Sequence, residues 1–276
     1  MADALAARVV RSPQGALGAA LLAAGALAAL LAPLLWPADP LDIVGRPLTP
    51  PFADALVPLG TDRLGRDILA GLVHGARASL ATALAVAALA LLGGGAVGTV
   101  AGYRGGWTDE ALMRVADAVQ TVPSFVLALA LVSVAGPTQP AIVAALAASA
   151  WTGPARVVRA GILSLRERPY VEASRLVGRP PLAIAFTVVL PNALTPLLAL
   201  AAVIVAAAIL QEAALSFLGL GNPNAASWGA MIAEGRSVMR TAPHVIIAPG
   251  AAVMMTVLAV SLLGEGVQRA LEGGDG

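Results

Sequence analysis

The densest grouping of residues able to recognise something lies at 170–191, YVEASRLVGRPPLAIAFTVVLP. Glu172 is followed by the small residues Ala173 and Ser174. Gly178 stands six positions after the acid, and Val188, Leu190 and Pro191 close the stretch. An acid with small residues on a short protruding helix suits insertion into a partner's groove. The alternative is an amphipathic loop lying on a surface. Three other groups carry charge or bend the chain. Asp62, Arg63, Gly65, Arg66 and Asp67 are expected on a short helix with ion pairs between them. Arg114 and Asp117 stand three apart, one helical turn, and are expected to pair. Pro123 follows them and is expected to kink its helix. Glu212 ends a long apolar run, and Ser216, Gly219, Gly221 and Trp228 come after it. An acid in that place either snorkels at an interface or faces a watery cavity. No Ser-His-Asp set, paired pocket carboxylates or metal-ligand spacing accompanies these groups. His74 and His244 are the two histidines and do not repeat at i, i+4.

What must position these residues is a membrane. Hydrophobic residues make up 58% of the 276 and charged residues 12%, about half the charged share of an ordinary soluble domain. The mean hydropathy is +0.84. A net charge of +1 offers no basic excess for nucleic acid. The absence of cysteine removes disulfides and thiolate chemistry. All 17 cationic residues are arginine, so the lysine that a P-loop places on nucleotide phosphates is missing.

Charge-free windows of about 20 residues mark membrane crossings. They predict six spans, near 15–36, 79–102, 120–136, 139–155, 194–216 and 245–265. The first could instead be a cleaved signal peptide, but its apolar run exceeds the usual signal core. Six crossings put both termini on one side. Eleven arginines then face the side of the termini and six the other, which predicts cytoplasmic termini by the positive-inside rule. The run Gly93-Gly94-Gly95 with Gly98 in the second span reads as close helix packing. Trp228 suits a membrane boundary. The loop 156–193 becomes cytoplasmic. Ser164 and Glu167 have capping-box spacing for a helix that runs to Gly178, and Pro180-Pro181 starts a second one.

The spacing Glu172-Ala173-Ser174, Gly178, Val188, Leu190-Pro191 resembles the EAA loop of bacterial ABC importer permeases, with Ser174 for the second alanine and Val188 for an isoleucine. PLGTDRLGRDILAGLVHGARASL at 58–80, GYRGGWTDEALMRVADAVQTVPS at 102–124 and EAALSFLGLGNPNAASWGAMIAEGR at 212–236 are similar to the C-type permease of dipeptide, oligopeptide and nickel importers. Ala70-Gly71 and Pro180-Pro181 depart from that pattern. The resemblance implies an all-α integral membrane protein with a type I importer fold. Its expected parts are an N-terminal region 1–57, an outer segment 58–78, a five-span transmembrane domain 75–268 and a cytoplasmic tail 269–276. It also implies a non-catalytic permease subunit with no cofactor of its own, ATP and Mg being held by partner ATPase subunits. The partners would be two ATPases, a second homologous permease and an extracytoplasmic substrate-binding protein. Glu172, Ala173, Ser174, Gly178, Val188, Leu190 and Pro191 would couple to the ATPases. Glu212, Ser216, Gly219, Gly221 and Trp228 would line the pathway or its outer gate. Arg114, Asp117 and Pro123 would shape the inner gate. Asp62, Arg63, Gly65, Arg66 and Asp67 would form the outer segment, held by ion pairs or contacting the binding protein. A self-sufficient secondary carrier or a membrane scaffold is the reading from another class; a carrier would need coupling charges inside the spans.

Overall fold

The computed structural model describes residues 2–37 and 39–272, all of their regular structure being helical. Residues 273–276 of the expected tail lie outside the described residues. Two helices open the chain, α1 (Ala2–Arg11) and α2 (Pro13–Leu35). Ser12 separates them, its Oγ accepting from Gly15 N at 3.1 Å while Pro13 occupies the first turn. After a loop comes α3 (Ile68–Arg104), then α4 (Gly106–Gln120), α5 (Ser124–Ala135), α6 (Gln139–Ala150) and α7 (Thr152–Leu165). The elbow is built from α8 (Pro169–Leu176) and α9 (Pro181–Ala193), the latter with a π-helical stretch at Ala185–Val189. The chain closes with α10 (Thr195–Leu215), α11 (Trp228–Gly235) and α12 (His244–Glu272).

α2, α3, α10 and α12 are each long and apolar enough to cross a membrane. Two bent pairs, α4 with α5 at 84° and α6 with α7 at 42°, bring the candidate crossings to six if each pair is one span. The kink expected at Pro123 is a full break, and the helix expected over 139–155 is bent as well. Pro123 removes a backbone donor and biases the residue before it away from helix, so the third span breaks there. Its apolar outer piece keeps only 12 residues, roughly 18 Å of a core about 30 Å thick. α3, in contrast, begins eleven residues before the expected span. At 37 residues it is about 55 Å long and projects beyond the hydrocarbon.

Small residues set the helix pairings. A Cβ on Gly94 would strike Trp151 O, one on Gly98 would strike Ala155 O, and one on Gly102 would lie 2.9 Å from Arg159 O. This every-fourth-residue stripe lets α3 and α7 run parallel at backbone contact. Gly93, in the same run, has open space around it. Gly18 of α2 meets the backbone of Ala259 and Leu263 on α12, and Gly15 meets Gly266, so those two helices run antiparallel. The main core gathers Val86, Val132, Leu146, Ile209 and Leu215; a second core gathers Val158, Ile162, Val171, Ile184 and Val189 beneath the elbow.

Candidate functional site

At the elbow, local chemistry sets the breaks. α7 runs through Ser164, so the expected capping box at Ser164 and Glu167 does not form; α8 starts at Pro169 after an extended Arg168 with no side-chain cap. Proline in the first turn has no N–H to leave unpaired, so this start needs no cap. α8 ends about two turns later, and Gly178 at φ +79° reverses the chain. Val171 is the fully buried foot of α8, packed with Val158 and Ile162 of α7 and with Ile184 and Val189 of α9. Arg175 lies over the Tyr103 ring at 5.6 Å, and Arg166 Nη1 donates to Gly102 O at 3.0 Å. These contacts clamp the elbow to the end of α3.

The rest of α8 faces outward. Glu172, Ala173 and Gly178 are exposed, and Ser174 Oγ donates back to Tyr170 O at 2.9 Å. Among the described residues Glu172 has no side-chain hydrogen bond or ion pair. Val188 and Leu190 are half-buried against the second core, while Pro191 is exposed. The seven residues of the spacing thus divide into a displayed set and a foundation. The stripe of Val171, Ala173, Ser174, Leu176 and Val177 that the sequence places on this helix is split: Val171 is buried, and the tip, Leu176 and Val177, is 84% and 82% exposed. Two adjacent apolar residues in an otherwise polar helix were the available signal.

The opposite end is built differently. Glu212 is 5% exposed, and its Oε1 accepts from Ser216 Oγ at 3.0 Å and Ser227 Oγ at 2.8 Å. Ser227 also caps α11 by accepting from Ala230 N. Between the two serines the chain turns at Gly219, φ +84°, and at Gly221, where a Cβ would collide with Ser216 Oγ. The turn folds Trp228 back onto α3. Its indole N–H donates to Leu72 O at 3.0 Å and its backbone N–H to Ser79 Oγ at 3.2 Å. Trp228 is buried in the main core rather than placed at a membrane boundary, because those two bonds satisfy its polar atoms inside the protein.

The segment at Asp62–Asp67 is a turn, not a short helix, and its acids serve the backbone. Asp62 Oδ1 accepts from Leu64 N at 2.7 Å and Arg66 N at 2.9 Å, leaving Arg63 exposed. Gly65 turns at φ +85°. Asp67 Oδ1 caps α3 through Leu69 N at 2.8 Å. Burial raises the Asp67 carboxyl above its ordinary range, with the Leu69 and Ala70 amides pulling it back. Arg66 pairs across the turn with Glu234 of α11 at 3.3 Å.

The expected pair of Arg114 with Asp117 is also replaced. Asp117 binds Arg156 Nη2 of α7 at 2.6 Å, and among the described residues Arg114 has no ion-pair partner. Asp109 takes both arms of Arg159 at 2.5 and 2.6 Å, and Gln120 Nε2 donates to Thr152 Oγ1 at 2.8 Å. The ladder ties α4 antiparallel to α7 and ends where Pro123 breaks the span. Helical spacing within α4 could not reveal partners on another helix.

Comparison with known proteins matches residues 94–274 to the family described as "Binding-protein-dependent transport system inner membrane component". The chain is 38% identical over 250 residues, 88% of this chain and 82% of the relative, to the di/tripeptide transport system permease protein DppC of Pseudomonas aeruginosa. It is 40% identical over 264 residues, 94% and 88% of the two chains, to the probable peptide ABC transporter permease protein y4tQ of Sinorhizobium fredii. It is 38% identical over 215 residues, 78% and 71%, to the glutathione transport system permease protein GsiD of Pectobacterium atrosepticum.

Proposed function

The chain belongs to the family of binding-protein-dependent transport system inner membrane components, and from that premise we propose that it is the permease subunit of an ATP-driven peptide importer, docking its ATPases through α8. It forms half of the translocation path and pairs with a second, homologous permease. Two ATPase subunits bind at the elbow and supply ATP and Mg; a substrate-binding protein docks over the end that carries Asp62–Asp67 and α11. Both termini and the elbow face the cytoplasm.

The observation that carries this reading is the elbow's construction. An exposed apolar tip, Leu176 and Val177, stands beside an unpaired Glu172 on a helix whose foot, Val171, is fully buried. A lever needs such a free end and fixed foot. Nucleotide-driven closure of the ATPases pushes α8; Val171 passes the push to Val158 and Ile162 of α7. From α7 it travels to α3 across the Gly94, Gly98 and Gly102 contacts and to α4 through the Asp109–Arg159 pair. Transport of small peptides is supported by the names of relatives covering most of the chain. This subunit does no bond chemistry in the cycle; it converts closure below into rearrangement above.

Glu172→Arg and Gly178→Asp are expected to abolish co-purification of the ATPase while the permease still inserts and pairs. ATPase recovered with both variants at the level of the unaltered chain would refute docking through α8. The cysteine-free background allows a topology test as well. Arg63→Cys should react with a membrane-impermeant thiol reagent from outside intact cells; reaction only after permeabilisation would invert the orientation.

A further inference from the structure

Non-helical backbone at membrane depth is tolerated only where protein buries it or where it lines water. The break between α4 and α5 meets that condition in an unusual place. Gln120 bonds to Thr152, which lies level with Gly94 of α3. Ser124, just past the break, borders a cleft of about 210 Å³ whose walls include Val86, Leu146, Ser149, Ala207 and Gln211. The break therefore lies between the levels of Gly94 and Val86, close to the middle of the span expected at 79–102. There Thr121, Val122, Pro123 and Ser124 are all exposed, and α5 begins with no side-chain cap. Asp117 O accepts from Thr121 N and Ala118 O from Thr121 Oγ1 at 2.7 Å, but among the described residues the carbonyls of Val119 and Gln120 and the first amides of α5 have no partner.

Lipid cannot satisfy those groups, and this chain does not cover them. Three side chains of the otherwise apolar cleft are polar, Ser124, Ser149 and Gln211. Gln211 Nε2 donates to Ser124 Oγ at 3.3 Å across the mouth of the cleft, and Ser149 turns its hydroxyl onto Leu146 O at 2.8 Å. None of the residues lining the cleft is charged. Of the groups expected from sequence to line the pathway, Glu212 and Ser216 are buried and bonded to each other, and Trp228 is buried and bonded to Leu72 O and Ser79 Oγ of α3.

We infer that the α4–α5 break, with Ser124 and Gln211 beside it, faces the aqueous path and forms a neutral hydrogen-bonding station for the amide groups of a passing peptide. The inference rests on the proposed function for its substrate and on membrane physics for its location. Neutral amide and hydroxyl groups bind the backbone that all peptides share. They make little distinction between acidic and basic side chains, which leaves that choice to the binding protein.

The test uses the complete transporter reconstituted in lipid vesicles, with Ser124→Cys, Gln211→Cys and, as a lipid-facing control, Leu27→Cys on α2, which is 57% exposed. A charged methanethiosulfonate reagent reacts with thiolates in contact with water. The two cleft cysteines are expected to react at least tenfold faster than the one at 27 in one or more nucleotide states. A dipeptide supplied with binding protein and ATP should slow them. Rates at 124 and 211 as slow as at 27 in every state, in vesicles that still import peptide, would overturn the inference: lipid or the second permease would then cover the break. Fast labelling in vesicles that hydrolyse ATP without importing any peptide would keep the aqueous station and refute the substrate class instead.

Discussion

The elbow at α8 and the outer turn between α10 and α11 are both short reversals pinned by glycines of positive φ, Gly178 and Gly219. They treat their polar and apolar groups in opposite ways. The outer turn closes on itself: Glu212 bonds both serines, Ser227 caps α11, and Trp228 is buried with both N–H groups paired. The elbow leaves itself open, with Glu172 unpaired and Leu176 and Val177 in solvent. A turn that satisfies its own groups holds its shape without help. A helix that displays apolar side chains on one buried foot is complete only when something covers it. Under the proposed function, the contrast assigns rigidity to one end of the permease and mechanical contact to the other.

The most severe way to break the contrast is to undo the foot. Val171→Asp places an unpaired charge among Val158, Ile162, Ile184 and Val189, at a cost of about 3–5 kcal/mol. It should release α8, measured as fast proteolysis near 168–180 and loss of transport. Val177→Asp, on the exposed tip, should leave that region protease-resistant and weaken only ATPase binding. Equal proteolysis of the two variants would show that the foot does not anchor the elbow.

A smaller effect is expected at the outer end. Glu212→Ala strips the acceptor from two buried hydroxyls, costing about 1–3 kcal/mol. The melting temperature of the purified complex should fall while ATPase co-purification holds. Loss of docking from this variant would mean that the two ends are not independent. The smallest change concerns Asp67, which caps α3 beside the outer turn. Asp67→Ala should cost about 1 kcal/mol and Asp67→Asn only a few tenths, since Asn caps as well. Its raised carboxyl also fixes a sign. The folded state holds that proton more tightly than the unfolded one, so the contribution of Asp67 to stability falls as pH rises from the ordinary carboxylate range through the higher folded value. Asp67→Asn should flatten that part of a thermal-stability profile; an unchanged slope would place the titration elsewhere.

The breaks in the chain were legible because their causes are local. Pro123 ends α4, Gly178 stops α8, and Leu194 is where α9 gives way to α10. Apolar runs too long for anything but a bilayer marked the crossings for the same reason. The capping box at Ser164 failed because α7 continues through it on α3, a packing decision and not a propensity. The bend at Pro123 was legible but its 84° size was not, because hydropathy counts residues and does not see an angle.

What the sequence determined by itself is an all-helical membrane chain, the order of its spans, the places where they stop, and the spacing that marks its family. Tertiary structure alone decided which glycines touch another helix and which face open space. It also chose Arg156 over Arg114 for Asp117 and Glu234 for Arg66, and it turned Trp228 inward. The reason is one of range. Backbone preference and transfer into lipid act within a turn or a span. The partner of a charge or of a bare backbone depends on which distant surface arrives within about 4 Å, and no local pattern encodes that.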